Sequence, residues 1–539
     1  MVRAVGHAVT PRISGSSPGT PHVISTERLE RYRPIVEDFD DFVEANLAPE
    51  PLNLRIRTGL TTPAALDAAL TAQGFELAPV PGLPTLRKVV SSPHSPAQTL
   101  EHWLGHLHVQ QAVMALPSLA LDPRPGERVL DLCAAPGGKT SHMAELMEDR
   151  GCLLAVDPKE KRLRGLMANL FRLGHTNILV VASDGRELPA GALFDRVLVD
   201  APCSAEGNFR RTRGRLPKRD AKFVHYVTSL QETLLRRAIS LTRPGGTIVY
   251  STCTWAPEEN EAIVARVLED APVAVERIPL VLPHAPGITE WKGQSFPAAV
   301  REAWRLYPQH LDSGGAFMVR LRRLEDDGSE AAGGGGAEGA GDRLRHRDPE
   351  HDAGWGAIPD GFPGEEAGPA RERIRAATDF LRDGFGMDPA VLDGLGWMAR
   401  ADNLWVQTAG EWPVDGWGHA GHRPVPRPSS GGWRVVSLGL RAFRGGGADG
   451  FETPSTALLT RFADALGPER RVELDDEELR TLLRRERIQR PDAPPGPVAV
   501  SWRGRVLGRG MCGRPGLELQ VPRSQATRLS ALLEGADRL

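Results

Sequence analysis

The sequence contains few cysteines, and they are scattered along the chain. Five stand among 539 residues, at positions 133, 152, 203, 253 and 512, and no two form a CxxC pair. This spacing argues against a zinc site and against a disulfide scaffold, so we expect no bound metal. The thiols are then reduced and available for chemistry.

Long apolar runs and strong net charge are also missing. No stretch reaches the roughly 18 consecutive apolar residues that a membrane helix needs. The first residues, through Ser14-Gly15-Ser16-Ser17-Pro18, lack the apolar core of a secretory signal. We therefore expect a cytoplasmic, monomeric enzyme that contacts no membrane. The formal net charge of −3 excludes a basic coat over the whole chain, so contact with nucleic acid has to come from local patches.

Length and shifts in composition predict several domains, since domains usually run about 100–200 residues. The predicted division is a disordered N terminus at 1–22, a small α+β domain at 23–97, a catalytic domain at 98–324, a flexible linker at 325–370, and accessory domains at 371–490 and 491–539. The linker is rich in Gly and acidic residues and poor in apolar ones. The α+β domain has two alternatives, plain packing and RNA binding.

The most informative stretch is RVLDLCAAPGGKT, residues 128–140. An apolar run ends at Asp131 and gives way to small residues and the pair Gly137-Gly138, which lets the backbone approach a ligand closely. A phosphate loop is the alternative, but that motif needs a glycine five residues before Gly138, where Cys133 stands. The pattern favours a nucleoside cofactor at the carboxyl edge of a doubly wound sheet.

Around this turn, apolar runs and helical patterns alternate regularly. The predicted elements are strands at 128–133, 152–157, 177–184, 196–201 and 247–253, and helices at 98–120, 138–147, 159–173, 221–242 and 258–269. Strands separated by helices of this length require crossovers and a mostly parallel sheet. We therefore predict an α/β fold with a Rossmann-like sheet.

Three of the predicted strands end in acidic residues. Asp157 stands about 20 residues after the glycine turn, where doubly wound folds place a carboxylate on ribose hydroxyls. Asp184 and Asp200 end the third and fourth strands. A single Asp there is often only a turn former, but three at one sheet edge indicate a site.

Two cysteines also follow strands. Cys203 stands in Asp200-Ala-Pro-Cys203 and Cys253 in Ser251-Thr-Cys253, so the fold aims both thiols at the edge predicted to hold the cofactor. Cys152 and Cys512 are interpreted as small buried apolar residues. A thiolate is a strong nucleophile near neutral pH, which suits attack on an unreactive ring.

The motifs DLCAAPGGKT, DAPCSAEG and STCTWAPEENE together resemble the signatures of S-adenosylmethionine-dependent RNA cytosine-5 methyltransferases of the Nol/Nop/Sun family. GGAFMVRL at 314–321 resembles the close of their catalytic domain. FETPSTALL at 451–459 and LRRERI at 483–488 resemble the carboxyl extensions of the bacterial RsmF type, and VSWRGRVLGRG resembles their PUA-type RNA-binding module. The resemblance implies small-subunit (16S) ribosomal RNA as substrate.

The resemblance also implies roles for single residues. The loop of Cys133, Ala134, Ala135, Pro136, Gly137, Gly138 and Lys139 would hold the methionine part of S-adenosylmethionine, Asp157 the ribose and Asp184 the adenine side. Lys139 is also expected among the catalytic groups. Asp200 would lie between cofactor and target base, at the N3 edge of the ring.

Carbon 5 of cytosine is a poor nucleophile, and thiolate addition at carbon 6 makes it reactive enough to take a methyl group. Cys253 matches the family's attacking thiol, and Cys203 matches the thiol that helps proton removal and release. A DNA cytosine methyltransferase would use the Pro-Cys thiol as nucleophile and lack the second. Thr252-Cys253 therefore favours RNA.

The chain departs from the family pattern at Ala205 and Asn208, where Gly and Met are common. Residues 207–222, which we call the basic loop, carry seven Lys or Arg and one Asp, and we expect them to contact RNA phosphates rather than form a plain solvated loop. Reaching carbon 6 requires the target base to be flipped out of its helix. Two other functions stay open, a tRNA cytosine-5 methyltransferase and a non-catalytic RNA-binding assembly factor.

Overall fold

The computed structural model describes residues 25–188, 193–325, 355–357, 366–408, 410–413, 434–445 and 453–521, with 526, 527, 529, 530 and 533 beyond them. The predicted disordered N terminus, residues 1–22, and most of the predicted linker, residues 325–370, lie outside the described residues. Across these ranges, no helix has both the length and the apolar character needed to cross a membrane.

The N-terminal part forms a four-stranded antiparallel sheet in the order β2-β3-β1-β4. Its elements are α1 (Glu27–Glu30), α2 (Phe39–Leu47), β1 (Leu52–Ile56), α3 (Pro63–Thr71), β2 (Glu76–Val80), β3 (Leu83–Ser91), α4 (Leu100–Trp103) and β4 (Leu107–Val109). Helix α3 opens on Pro63, and the Thr62 hydroxyl caps it by accepting from the Ala65 N–H at 3.2 Å. The α+β character predicted from the sequence is confirmed.

The predicted helix at 98–120 is confirmed only over Leu100–Trp103 and Ala112–Leu121, because between them the chain turns at Gly105 to pair with a distant strand. Gly105 has φ +77°, and a Cβ added there would lie 2.6 Å from the Arg172 carbonyl oxygen. Strand β4 then pairs with β1, with Val109 opposite Leu54. The boundary predicted at residue 97 therefore cuts through this sheet, which continues to Val109.

The central part contains the predicted alternation of strands and helices. Its elements are α5 (Ala112–Leu121), β5 (Arg128–Asp131), α6 (Gly138–Leu146), β6 (Cys152–Val156), α7 (Glu160–Leu173), β7 (Ile178–Ala182), β8 (Phe194–Asp200), α8 (Phe209–Thr212), α9 (Ala221–Leu241), β9 (Thr242–Thr252), α10 (Glu261–Leu268), β10 (Val273–Glu276), β11 (Ala285–Pro286), β12 (Glu290–Trp291), β13 (Gln294–Ser295), β14 (Trp304–Leu306), α11 (Pro308–Leu311) and β15 (Ala316–Arg323). The predicted strands and helices from 128 to 269 are present with small shifts at their ends.

These strands form one large sheet with a parallel centre. Strands β7, β6, β5, β8 and β9 lie side by side and parallel, and β15 adds antiparallel to β9. The strand order reverses between β5 and β8, and in doubly wound sheets ligands bind at the carboxyl edge beside such a point. The α/β class with a Rossmann-like sheet is confirmed.

The first helices belong to the central part rather than to the N-terminal sheet. Tyr32 and Phe42 pack edge-on against Trp255, with ring centroids 5.7 and 4.9 Å from it. The Tyr32 hydroxyl donates to the Glu206 carboxylate at the start of the basic loop. Residues 27–47 therefore support the loop that carries Cys203, which the predicted domain at 23–97 did not anticipate.

The C-terminal part has two elements that begin inside the predicted linker, residues 325–370: the strand Trp355–Ala357 and a helix that starts at Ala367. Its elements are β16 (Trp355–Ala357), α12 (Ala367–Asp379), α13 (Pro389–Asp393), β17 (Gly396–Arg400), β18 (Asn403–Gln407), β19 (Glu411–Pro413), β20 (Arg434–Leu438), β21 (Leu440–Arg444), β22 (Thr453–Pro454), α14 (Thr456–Arg461), β23 (Arg471–Leu474), α15 (Asp476–Leu483), β24 (Gly496–Trp502), β25 (Arg505–Gly513) and β26 (Gly516–Leu519).

Two of these strands cross the boundaries predicted from composition. Strand β20 pairs antiparallel with β7 and so extends the central sheet. Strand β23 pairs parallel with β24, which places it in the last sheet, ordered β23-β24-β25-β26. The boundary predicted at residue 490 therefore divides a single sheet. The change in composition that suggested this boundary does not coincide with the end of the sheet.

Candidate active site

The acidic residues predicted for the site all stand at the same edge of the central sheet. Asp131 and Asp200 end β5 and β8, and Asp157 follows β6. Asp184 follows β7 and caps the short 3-10 helix Gly185–Glu187. Because these strands are parallel neighbours, their carboxyl ends form one continuous edge. Asp184 is the outermost, separated from Asp200 by β6 and β5.

The fold brings the two predicted thiols into direct contact. Cys203 Sγ lies 3.2 Å from Cys253 Sγ, and both side chains are half-buried. The Gly207 N–H donates to the Cys253 carbonyl oxygen at 2.9 Å, which joins the two loops. A Cβ on Gly207 would lie 2.1 Å from the Gly315 carbonyl oxygen, so only glycine permits this approach.

The two thiols differ in the direction in which their pKa is shifted. The interaction with Cys203, together with the Lys139 ammonium and a contact of 3.5 Å from Asn208 Nδ2, lowers the pKa of Cys253. The same interaction with Cys253, together with burial, raises the pKa of Cys203 well above its usual value. The surroundings therefore favour a thiolate at Cys253 over one at Cys203.

An ion pair stands beside these thiols. Lys139 Nζ lies 2.7 Å from Asp200 Oδ2, and the Ser251 hydroxyl donates to Asp200 Oδ1 at 3.0 Å. Burial would lower the pKa of Lys139, but the Asp200 carboxylate outweighs it and raises that pKa. Lys139 is therefore a fixed cation near Cys253, and its side chain faces Asp200 rather than the phosphate that the phosphate-loop alternative requires.

The glycine turn has the geometry of a ligand cradle. Gly137 has φ +98° and caps α6, where a Cβ would lie 3.2 Å from the Leu166 side chain. Asn169 Nδ2 donates to the Pro136 carbonyl oxygen at 3.1 Å, and the Ala134 N–H donates to the Val156 carbonyl oxygen at 2.9 Å. The backbone from Cys133 to Lys139 is thus held from below while its other side faces the strand-end edge.

Cys133 opens this turn without joining the thiol pair. Its side chain is half-buried against the core, and burial with the nearby carboxylates raises its pKa well above the usual value. The neighbouring Asp131 is fully buried, and burial raises its pKa to about 7 despite a hydrogen bond of 2.7 Å from the Thr140 hydroxyl. Cys133 is therefore a packing residue of the cradle and not a nucleophile.

Asp157 and Asp184 differ in how they are held. Asp157 is fully buried, and its carboxylate accepts from the Ala135 N–H at 3.3 Å and the Lys159 N–H at 3.0 Å, with Arg162 Nη1 at 3.0 Å. Asp184 is half-buried and binds the Arg186 guanidinium through both oxygens, which lowers its pKa. Asp157 therefore positions the cradle itself, while Asp184 stands at its rim.

The basic loop is only partly a surface. Arg210 is buried and donates to the carbonyl oxygens of Pro49 at 2.7 Å and Ser313 at 3.1 Å. Arg219 lies 3.2 Å from Glu258 and 3.6 Å from Glu259. The remaining five cations are exposed, namely Arg211, Arg213, Arg215, Lys218 and Lys222. The predicted RNA contact therefore rests on these five, since the other two serve structure.

Three residues of this region escaped the sequence prediction. Ser251 orients Asp200, and Asn208 reaches Cys253, as described above. Arg55 on β1 is fully buried and donates to the Gly138 carbonyl oxygen at 2.8 Å while pairing with Glu145 at 2.9 Å. Ser251 could have been found from its place in the thiol motif, but Arg55 carries no sequence signal because its partners are 83 and 90 residues away.

Within the described ranges, no group of three or more His, Cys, Asp or Glu side chains could hold a metal ion. The small residues of the cradle, its left-handed glycine and the acids at successive strand ends suit a nucleoside that carries an amino acid, such as S-adenosylmethionine. The pair of thiols suits covalent attack on a base beside it.

Comparison with known proteins agrees with this geometry. The profile of the family described as 16S rRNA methyltransferase RsmB/F matches residues 118–322. The chain is 34% identical over 302 residues to the tRNA (cytosine(49)-C(5))-methyltransferase of Pyrococcus abyssi, covering 56% of this chain and 96% of that protein. It is 33% identical over 310 residues to the ribosomal RNA small subunit methyltransferase F of Escherichia coli, covering 55% of this chain and 62% of that protein.

Two further comparisons show how much of each chain is similar. The human 28S rRNA (cytosine(4447)-C(5))-methyltransferase is 36% identical over 294 residues, but these cover only 36% of its length and 53% of this chain. The crystal structure of a methyltransferase homolog protein from Pyrococcus horikoshii matches at a TM-score of 0.50 and 32% identity, covering 56% of this chain and 97% of that one. The similarity thus spans little more than half of this chain.

Proposed function

Because the chain belongs to the S-adenosylmethionine-dependent RNA cytosine-5 methyltransferases of the Nol/Nop/Sun family, we propose that it methylates cytosine in small-subunit ribosomal RNA. The observation that carries the chemistry is the contact of 3.2 Å between Cys203 and Cys253 beside the Lys139–Asp200 ion pair. The RsmB/F profile and the similarity to the Escherichia coli enzyme support small-subunit RNA as the substrate.

In the proposed mechanism Cys253 attacks carbon 6 of a flipped-out cytosine. Its lowered pKa increases the fraction of thiolate at a given pH, and addition to the ring gives carbon 5 enamine character. Asp200 hydrogen-bonds the N3 edge as charge develops there, held in place by Ser251 and Lys139. S-Adenosylmethionine, held by residues 133–139 with Asp157 and Asp184, supplies an electrophilic methyl group when bound.

Cys203 then acts in release. After methylation, the proton on carbon 5 leaves and the bond between Cys253 Sγ and carbon 6 breaks by elimination. Cys203 Sγ lies 3.2 Å from that sulfur. Once Cys253 is bonded to carbon 6, Cys203 gives its proton to solvent, and the resulting thiolate takes the carbon 5 proton. Cys203 is then a thiol again and can donate a hydrogen bond to the departing Cys253 thiolate.

RNA would be positioned by the exposed part of the basic loop. Arg211, Arg213 and Arg215 are exposed on the loop that carries Asn208, a residue in contact with Cys253. Replacing the three by Gln should weaken RNA binding at moderate salt and reduce the slope of affinity against salt by roughly 2–3, because each phosphate contact contributes about 0.7–0.9 to that slope. Filter binding checks this, and S-adenosylmethionine affinity should not change.

Bisulfite sequencing of total RNA tests the proposal. Cells that lack the protein are compared with cells that express it or its Cys253→Ala variant, so that activity, class of RNA and position are read together. A site in small-subunit RNA that is methylated only with the intact protein is expected. A tRNA site instead would support the alternative suggested by the Pyrococcus abyssi relative. No change in any RNA would contradict catalysis and favour a binding role.

A further inference from the structure

A cavity of about 710 Å³ lies between the central part and the C-terminal part, away from the strand-end edge. It is enclosed by the end of α7, strand β21, helix α14 and the last sheet. Helix α7 leaves the strand-end edge after Asp157 and runs for 14 residues, about 21 Å, before β7 begins. The cavity is therefore at the opposite edge of the sheet from the thiols, and none of its lining residues belongs to the proposed catalytic machinery.

Its lining carries a concentration of positive charge from three different elements. Five arginines line it, namely Arg172, Arg441, Arg444, Arg485 and Arg509, against the two carboxylates Glu486 and Glu518. Both carboxylates are engaged by arginines outside the lining, Glu486 by Arg484 at 3.0 Å and Glu518 by Arg487 at 2.8 Å. The lining therefore has an excess of guanidinium groups.

Four of these guanidiniums make no ion pair with any carboxylate of the described residues: Arg441, Arg444, Arg485 and Arg509. Arg485 donates to the Val521 carbonyl oxygen at 2.8 Å and Arg509 to the Pro454 carbonyl oxygen at 3.2 Å. The Arg509 Nε–H is buried, and it has no hydrogen-bond partner among the residues that the structure describes. Donor capacity is thus left over in this cavity.

The arginines also repel one another. Burial lowers the pKa of Arg509, and the nearby Arg444 and Arg441 lower it further. The pKa of Arg441 is lowered in the same way, by burial first and then by Arg444. Bringing these like charges together raises the free energy of the protein, and a bound anion would offset that repulsion.

We propose that this cavity, with Arg441, Arg444, Arg485 and Arg509, binds phosphodiester groups of the RNA substrate at a second contact remote from the target base. Guanidinium groups bind phosphate oxygens through paired N–H donors, and several converging on one cavity match a nucleotide rather than a single carboxylate. The volume lies within the roughly 300–1,000 Å³ of sites that hold ligands of nucleotide size. The proposal rests on the proposed function, since it takes RNA as the substrate.

The test compares RNA binding and methyl transfer in full-length variants. Arg441→Gln/Arg444→Gln should weaken binding of a full-length 16S rRNA transcript roughly tenfold at 0.15 M salt and reduce the salt slope by about 1. A short RNA that reaches only the catalytic edge should bind and be methylated as in the wild type. Arg444→Gln/Arg485→Gln, at two exposed positions, repeats the test should the first variant fold poorly by thermal melting.

The matched control removes two exposed arginines from other surfaces. Arg382 pairs with Asp379 and Asp383, and Arg124 pairs with Asp122. Arg124→Gln/Arg382→Gln changes the net charge by the same amount and should leave both RNA affinities unchanged. Equal losses in the control and the cavity variants would mean that only net charge matters and would overturn the proposal.

Competition experiments distinguish RNA from a small phosphate anion as the ligand of the cavity. Inorganic phosphate and adenosine monophosphate should compete only weakly with the long transcript. Tight binding of either, with unchanged affinity of the cavity variants for the transcript, would make the cavity a small-anion site and overturn the RNA contact. Wild-type protein that binds the transcript but methylates no RNA would contradict the proposed function alone, because the affinity difference between cavity variants and control is read independently of methyl transfer.

Discussion

Two halves of the strand-end edge are held together by different kinds of contact. In the thiol half, formed by Asp200, Cys203 and Cys253, each group bonds to a partner far away in sequence: 50 residues separate the two cysteines and 61 separate Lys139 from Asp200. In the cofactor half, Asp157 and Asp184 each accept a backbone N–H from two residues further along. One half is built by tertiary structure and the other largely by local turns.

The difference teaches how each half should respond to change. A group in the thiol half acts on the ionisation or the exit of its partner, so its loss should stop the reaction at a defined step. A carboxylate in the cofactor half contributes one of several contacts to a cradle that local turns also hold. Its loss should reduce affinity by a measurable amount without stopping the reaction.

The largest effect should come from replacing the two thiols one at a time. Cys253→Ala should abolish methyl transfer and give no covalent adduct with RNA, because the nucleophile is gone. Cys203→Ala should still permit attack but block release, which leaves a protein–RNA species that survives denaturing electrophoresis. That species should disappear in the double variant.

Cys512→Ala is the matched control, since Cys512 lies in the last sheet, remote from the edge. It should leave transfer and adduct formation unchanged. If the adduct accumulates with Cys253→Ala and is absent with Cys203→Ala, the roles of the two thiols are reversed.

A smaller, graded effect is expected in the cofactor half. Asp157→Ala should weaken S-adenosylmethionine binding by roughly 1–3 kcal/mol, because the buried N–H of Ala135 and the partly buried N–H of Lys159 lose their acceptor. Asp184→Ala should cost less, since this carboxylate is half-buried and screened by Arg186. Titration calorimetry measures both, with exposed Asp270 replaced by Ala as control. Equal losses at 157 and 184 would contradict the distinction between cradle and rim.

The same division explains what the sequence could predict. The cradle, the strand ends and both thiols were predicted correctly in position, because short motifs and apolar runs encode strand-turn-helix units locally. The failures are tertiary. The predicted helix at 98–120 is interrupted by β4, which pairs with β1, and β20 joins the central sheet from beyond the predicted linker. Strand pairing between distant segments leaves no local pattern.

The site residues that the sequence did not predict are also held by contacts between distant segments. Asn208 stands in the basic loop, and its contact with Cys253 depends on the turn that Gly207 makes against Gly315. Arg55 reaches the Gly138 carbonyl from another sheet. Neither position could be chosen from the sequence, because the contact of Asn208 forms only when two distant loops of the central part meet, and that of Arg55 only when the N-terminal and central parts pack together.

Replacing Asn208 tests how much its hydrogen bond lowers the pKa of Cys253. Asn208→Met, which installs the residue common in the family, removes a donor to Cys253 Sγ and should raise the pKa of that thiol. A raised pKa leaves less thiolate below it, so adduct formation at pH 6 should fall roughly threefold to fivefold, the effect of losing a weak hydrogen bond of about 1 kcal/mol. Rates at pH 9 should converge with wild type. A pH-independent loss would indicate a positioning effect on RNA instead.

The smallest effect is expected at Ala205, two residues after Cys203 within the motif DAPCSAEG. Ala205 has φ +58°, in the left-handed region, where a Cβ crowds the following carbonyl and glycine is favoured. Ala205→Gly, which restores the residue common in the family, should raise the free energy of unfolding by about 0.5–1 kcal/mol, because relief of this crowding exceeds the added entropy of the unfolded chain.

Ala72→Gly is the opposite control: Ala72 is exposed with φ −61°, so glycine there should lower stability by about 0.5–1 kcal/mol. Urea unfolding measures both, and methyl transfer by Ala205→Gly should stay within about twofold of wild type, since the substitution leaves the hydrogen bond from the Asn208 N–H to the residue 205 carbonyl in place. A loss of stability at 205 would mean that the methyl group packs favourably enough to offset its backbone strain, and the thiol half would then tolerate the departure from the family pattern without cost.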